Sequence, residues 1–180
     1  MSYASTGTSL SDKSRYDFFA RTVPPDTYQA LVLVDLVQSF NWSYVSLVSS
    51  EGQYGDSGMT AFLREAKKRD ICIAMSEKVP QNADSAYFAS ILINLRSKPN
   101  ARGVVLFLRA EDNRGLLEAA MALNLTRHFS FIASDGWGKQ DKLVLGVEDV
   151  ADGTITVELA TNEIVDFNYY IGNLTEDHSR

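Results

Sequence analysis

Three loops carry the residue types best suited to hold a small charged molecule. Tyr3-Ala4-Ser5-Thr6 offers hydroxyls near the start of the chain, and Ser134-Asp135-Gly136-Trp137-Gly138 sets one carboxylate directly before a glycine far downstream. Between them Tyr54 lies in a turn rich in glycine, with Gly52, Gly55 and Gly58 around it. An anion, a hydroxyl and an aromatic face are together what an ammonium group seeks. Arg109, at the end of an apolar run, adds a planar two-pronged donor that suits a carboxylate. Ammonium and carboxylate in one ligand describe a free amino acid.

Each feature also has a plainer reading. Asp-Gly is a common turn pair, and Ser5 and Thr6 serve equally as ordinary loop hydroxyls. Arg109 is placed for a structural ion pair as well as for a cleft. Gly52, Gly55 and Gly58 follow one predicted strand and lead into a helix, as a phosphate-cradling turn does. Their spacing departs from the dinucleotide fingerprint, however, and Glu51 and Asp56 would repel phosphate, so a helix-capping turn is the better reading.

Composition removes several classes of function. A net charge of -6 and a pI near 4.9 argue against nucleic acid as a partner, because phosphate binding needs clustered Lys and Arg. A hydrophobic share of 45% with 22% charge is that of a globular domain, and 180 residues suffice for one domain or one with a piece of a second. No apolar run approaches the length of a membrane span. The opening MSYASTG lacks the basic flank and apolar stretch of a signal peptide. His128 and His178 have no local acidic or nucleophilic partner, and no metal-ligand spacing occurs, so neither an enzyme nor a cofactor or metal is expected. Cys72 stands alone and reads either as a buried free thiol or as half of a disulfide whose partner lies elsewhere. Asn41, Asn124 and Asn173 each begin a glycosylation sequon, which leans toward an extracellular setting.

The elements that must position these loops alternate between strand and helix with short joins, the pattern of an α/β fold with a parallel sheet covered by helices on both faces. After Pro24-Pro25, Asp26 is expected to cap a helix burying Ala30, Leu31, Val34, Val37 and Phe40. A strand over 44–48 precedes a helix that Asp56 or Ser57 caps and that runs to Lys68, with Met59, Phe62, Leu63 and Ala66 inward. Next come a strand over 71–75 and a helix over 85–96 that stops before Pro99. The almost wholly apolar run 103–108 predicts a central strand buried on both faces. A helix over 111–123, a strand over 129–133, a last strand over 154–159 and a short helix within 162–180 complete the reading. Ligands on such sheets lie at the carboxyl ends of the strands, which here means the loops 51–55, 109–112 and 134–138.

Order and spacing carry further than any single motif. YASTGTSLSDKSRYDFFARTVPPD at 3–26, NWSYVSLVSSEGQYGDSG at 41–58, ICIAMSEKVP at 71–80, ARGVVLFLRAED at 101–112 and FIASDGWG at 131–138 together resemble the ligand-binding ectodomain of metabotropic glutamate receptors, in class C of the G-protein-coupled receptors. Arg109, Ala4 and Gln140 bring the resemblance closest to the group II type.

The resemblance implies a two-lobed clamshell of the type I periplasmic-binding-protein kind. In it, residues 1–20 are the end of the first lobe, 21–161 form the second lobe and 162–180 return to the first, with hinge strands near Val23 and Val157. It implies that Thr6 holds the α-amino and α-carboxylate groups, Tyr54 packs on the ammonium and Asp135 pairs with it. Ala4 and Gly136 would bring backbone close, Asp26 would flank the cleft, and Cys72 would form an interdomain disulfide with a cysteine-rich segment. The partners implied are L-glutamate or a related amino acid, a second copy in a homodimer, and a heterotrimeric G protein reached through a membrane domain. The place implied is the extracellular side of the plasma membrane. The alternatives are a class C orphan receptor for another amino acid and a soluble periplasmic-type amino-acid-binding protein.

Overall fold

A computed structural model describes residues 1–160 and 162–174. Five parallel strands form one sheet in the order β2-β1-β3-β4-β5: β1 Tyr44–Ser50, β2 Cys72–Val79, β3 Gly103–Phe107, β4 Ser130–Ala133 and β5 Ile155–Thr156. Helices α1 Asp26–Ser39, α2 Gln53–Lys68, α3 Ser85–Arg96, α4 Ala110–Ala122 and α5 Glu148–Ala151 link them, and α6 Val165–Gly172 follows the last strand. The α/β architecture expected from the alternating pattern is present.

The sheet separates two apolar layers, and strand alternation explains the division. Val104, Leu106 and Leu108 point toward α3 and α4, together with Val48, Phe131 and Ala133. Val105 and Phe107 point the other way, joining Leu47, Ile132 and the inner faces of α1 and α2. Every residue of β3 is buried, as a strand with helices on both sides requires.

Several elements differ from their sequence-based expectations. The buried face of α1 is Ala30, Leu33, Val34 and Val37, because the helical period turns Leu31 aside and carries Phe40 out to 45% exposure. Phe40 instead lies against Trp42, ring centroids 5.3 Å apart. Pro25, with an extended backbone, holds the cap position of α1, and Asp26 is its first helical residue with its carboxylate turned inward. Helix α2 starts at Gln53, ahead of the expected caps, because Gly52 at φ 108° makes the sharp turn out of β1. Its inward residues are Ala61, Phe62, Glu65 and Ala66, with Leu63 mostly turned out.

Strand β2 runs on to Val79, well past Met75, and β5 pairs over two residues only before Val157 donates a last bond to the Ala133 carbonyl at 2.9 Å. No strand forms at Val23. The nearby chain is held by a bridge between Ser2 and Arg21. No helix among the described residues is long and apolar enough to cross a membrane. His178 lies outside the described residues.

Candidate functional site

The loops after β1, β3 and β4 leave the same edge of the sheet, since parallel strands put all their carboxyl ends together. The N-terminal loop is tied across them. Arg21 donates to the carbonyls of Ser5 and Gly7 at 3.2 and 3.0 Å, and Thr8 meets Ser57 at the start of α2 through hydroxyls 2.7 Å apart. Thr6 is thereby held at 8% exposure. A cavity of about 290 Å³ results, lined by Ala4, Thr6, Tyr54, Arg109, Ala110, Asp135, Gly136 and Gln140. All six residues read from the sequence as ligand-binding are on its wall.

Tyr54 joins the two halves of this wall. Its hydroxyl donates to Asp135 Oδ1 at 2.6 Å and lies 2.7 Å from Ser134 Oγ, and the Gly136 N–H donates to it at 3.2 Å. A phenol has one proton, and the carboxylate can only accept, so the Ser134 hydroxyl is the donor in the second bond. Burial, then the negative charge of Asp135, hold the Tyr54 pKa far above its ordinary value, which fixes Tyr54 as a neutral phenol. Gly136 is required here because a Cβ would run into the Leu108 carbonyl.

Behind Asp135 lies a second carboxylate. Asp26 is fully buried, and neither of its oxygens has a hydrogen-bond partner among the described residues. Burial raises its pKa above the carboxylate norm and the charge of Asp135 raises it further; the nearby Thr6 hydroxyl and the Arg21 charge offset this only in part. The Asp26 backbone N–H is satisfied by the Thr6 carbonyl at 2.9 Å, so the loop with Thr6 and the start of α1 are joined beneath the cavity. Asp26 does not line the cavity itself; it lies buried next to Thr6, which does. Gln29, one turn along α1 and 3% exposed, accepts the Asp135 N–H at 3.1 Å. No sequence signal marked Gln29, since a helical glutamine normally faces water.

Arg109 combines the two readings its sequence allowed, ion pair and cavity wall. Its Nε and Nη2 both donate to Asp112 Oδ2, at 3.1 and 3.0 Å, so one edge of the guanidinium is committed to the protein while the residue still lines the cavity. The reason is local: Asp112 lies one turn ahead in α4 with its side chain 6% exposed, closer than any ligand group would be.

A larger cavity, about 620 Å³, opens between α3 and α4 among Ala86, Phe88, Ala89, Gly115 and Ala119. Its arginine, Arg114, is already bonded to Glu118 and to two carbonyls, and most of its remaining wall is apolar. Cys72 is an exposed free thiol at the start of the edge strand β2, which removes the buried-thiol reading. Asn41, Asn124 and Asn173 are all exposed, and the first two adopt φ of 56° and 53° in turns. No group of three or more metal-ligating side chains occurs among the described residues.

A parallel sheet whose carboxyl edge carries a cavity with Asp135, Arg109 and Tyr54 on its wall is suited to holding a small charged ligand. The model of the receptor family ligand binding region matches residues 1–179, and the chain belongs to this family. It is 57% identical over 177 residues to the metabotropic glutamate receptor of Drosophila melanogaster, a match covering 98% of this chain and 18% of that receptor. It is 43% identical over 181 residues to metabotropic glutamate receptor 4 of Rattus norvegicus and to metabotropic glutamate receptor 6 of Oryctolagus cuniculus, covering all of this chain and 20% and 21% of those proteins. The chain therefore spans about a fifth of the length of these relatives.

Proposed function

We propose that this chain forms part of the amino-acid-binding clamshell of a metabotropic-glutamate-type receptor and senses L-glutamate or a related amino acid by closure of two lobes. The observation that carries this reading is the pair Asp26 and Asp135: two neighbouring carboxylates, one fully buried, with no ion pair to either among the described residues. Such a pair is costly unless a cation arrives. The ligand's ammonium would sit between Asp135 and the Tyr54 ring, with the Asp26 carboxyl buried nearby. Its carboxylate would take the Thr6 hydroxyl, and its side chain would extend past Ala4 and Gly136 toward Arg109.

Residues 1–20 and 162–180 would belong to the first lobe and 21–161 to the second. In support, α6 has no buried residue and shows Phe167, Tyr169 and Tyr170 to solvent. Each lobe gives part of the contacts, so ligand shifts the population toward the closed form. The module binds and does not catalyse. It works on the extracellular side of the plasma membrane, as a homodimer coupled to a heterotrimeric G protein, with Cys72 in an interdomain disulfide and glycans on Asn41, Asn124 and Asn173.

Calorimetric titration of L-glutamate into the full-length protein carrying this chain, beside its Asp135→Asn variant, tests the reading. Saturable binding that the variant loses supports it, and equal affinity in both would sink it. A second reading has its own observation: with one edge of Arg109 already taken by Asp112, an amino acid with a neutral side chain also fits. Binding of such an amino acid with silence toward L-glutamate would move the chain to the orphan branch.

A further inference from the structure

Arg109 is held at both ends by one small unit. Its backbone N–H donates to Ser50 Oγ at 2.8 Å, and its Nε and Nη2 donate to Asp112 Oδ2. Ser50 closes the circuit by donating its single hydroxyl proton to the same Asp112 oxygen at 2.5 Å. Ser50 is 1% exposed and Asp112 is 4% exposed, so the circuit is shielded from water. It links the last residue of β1 to the first turn of α4.

The position of the circuit gives it a direction. A second cavity of about 390 Å³ lies on the far side of Arg109, lined by Gln81, Asn82, Ala83, Phe88, Glu111 and Asp112 as well as by Arg109 itself. Asp112 lines that second cavity and not the amino-acid cavity, whereas Arg109 lines both. The edge bonded to Asp112 is thus engaged with a residue that lines only the second cavity. Its Nη1 has no hydrogen-bond partner among the described residues. A free arginine would sample many rotamers and reach either cavity; this one has lost that freedom before any ligand arrives.

We propose that Asp112 and Ser50 are positioning residues that aim the unbonded edge of Arg109 into the amino-acid cavity and so set preference for a ligand whose side chain ends in an anion. The inference rests on the amino-acid reading of that cavity. Asp112 never touches the ligand. It acts through Arg109, by fixing where the donors stand and by keeping them out of the second cavity.

The test measures L-glutamate and its neutral isostere L-glutamine by calorimetry on the full-length protein carrying this chain, for wild type, Arg109→Gln, Asp112→Asn, the double variant, Ser50→Ala and Asp135→Asn. The expected result is a wild-type preference for L-glutamate that Arg109→Gln and Asp112→Asn each reduce about tenfold, with L-glutamine affinity changed less than about twofold. The double variant should be no worse than Arg109→Gln alone, because residues acting through one another do not add. Ser50→Ala should cost about threefold in the same sense, and it carries the test if Asp112→Asn does not fold. Equal weakening of both ligands by Asp112→Asn, or full additivity with Arg109→Gln, would overturn the positioning role and leave the amino-acid reading intact. So would unchanged affinities in Arg109→Gln, or no wild-type preference, while Asp135→Asn still abolishes binding. Failure of Asp135→Asn to affect either ligand would remove the cavity reading and this inference with it.

Discussion

Two carboxylates lie at the same edge of the same sheet, both nearly inaccessible to water, and their surroundings are opposite. Asp112 accepts from Ser50 and from two nitrogens of Arg109 on one oxygen alone. Asp26 has no well-formed hydrogen bond to either oxygen among the described residues, only the nearby Thr6 hydroxyl and the Arg21 charge to offset its burial and the anion of Asp135. A buried charge with all its partners in place is a structural fixture. A buried carboxylate without them raises the energy of the empty protein, a cost that a proton or a bound cation relieves. The contrast separates what holds the loops from what the loops are for, and it can be broken from either side.

The largest effect is expected at the ligand. Replacing Asp135 with Asn should weaken amino-acid binding at least tenfold, with a loss on the order of 2–4 kcal/mol, while thermal stability changes little. Next in size, Asp112→Ala should destabilise the empty protein by about 1–3 kcal/mol, since it strands Ser50 and the partly exposed Arg109, and urea titration would show it. If Asp112→Ala is neutral, the fixture reading is wrong.

Asp26→Asn should do the reverse and stabilise the empty protein by about 1 kcal/mol at neutral pH, while weakening binding. The sign follows from the raised pKa of Asp26. The folded state prefers the protonated carboxyl, so the group's contribution is complete below its ordinary value of 3.8 and is lost as pH rises through the higher folded value. The gain from Asp26→Asn should therefore shrink as the solution is acidified toward that value, and melting curves across the range would follow it. A gain that stays constant with pH would mean that Asp26 does not carry the charge assigned to it.

The smallest effect is expected at the hydroxyl that joins the walls. Tyr54→Phe keeps the ring that the proposed ammonium would meet but drops the bonds to Asp135, Ser134 and Gly136. A stability loss of about 1 kcal/mol and a few-fold weaker binding are expected.

Much of this architecture is legible in the residue order. The run 103–107 is apolar at every position and becomes a strand buried on both faces, while Pro99 and Asp84 bracket α3 between its observed ends. Strand β2 was less legible because it lies at the sheet edge, where Ser76, Glu77 and Lys78 alternate with burial on one side only. Asp26 was misread for a related reason: an aspartate after two prolines looks like a helix cap, and only tertiary packing turns it inward. In Arg109-Ala110-Glu111-Asp112 the arginine pairs with both acids, Glu111 at 3.4 Å and Asp112 at 3.0 Å, and only burial, 6% exposure for the Asp112 side chain against 69% for Glu111, sets the two pairs apart. Gln29 gave no sign at all.

The hydroxyl of Tyr54 closes loops of 80 to 82 residues when it meets Ser134, Asp135 and Gly136. Contacts so distant along the chain are formed only after much local structure is in place, because their closure entropy is spent before they return anything. The cavity is accordingly expected to complete late in folding, after the rate-limiting step, which φ-values at Tyr54 near zero would show. An amino acid that binds there should slow unfolding in proportion to its occupancy and leave the folding rate where it was, so the residence of the ligand becomes a clock for the lifetime of the finished lobe.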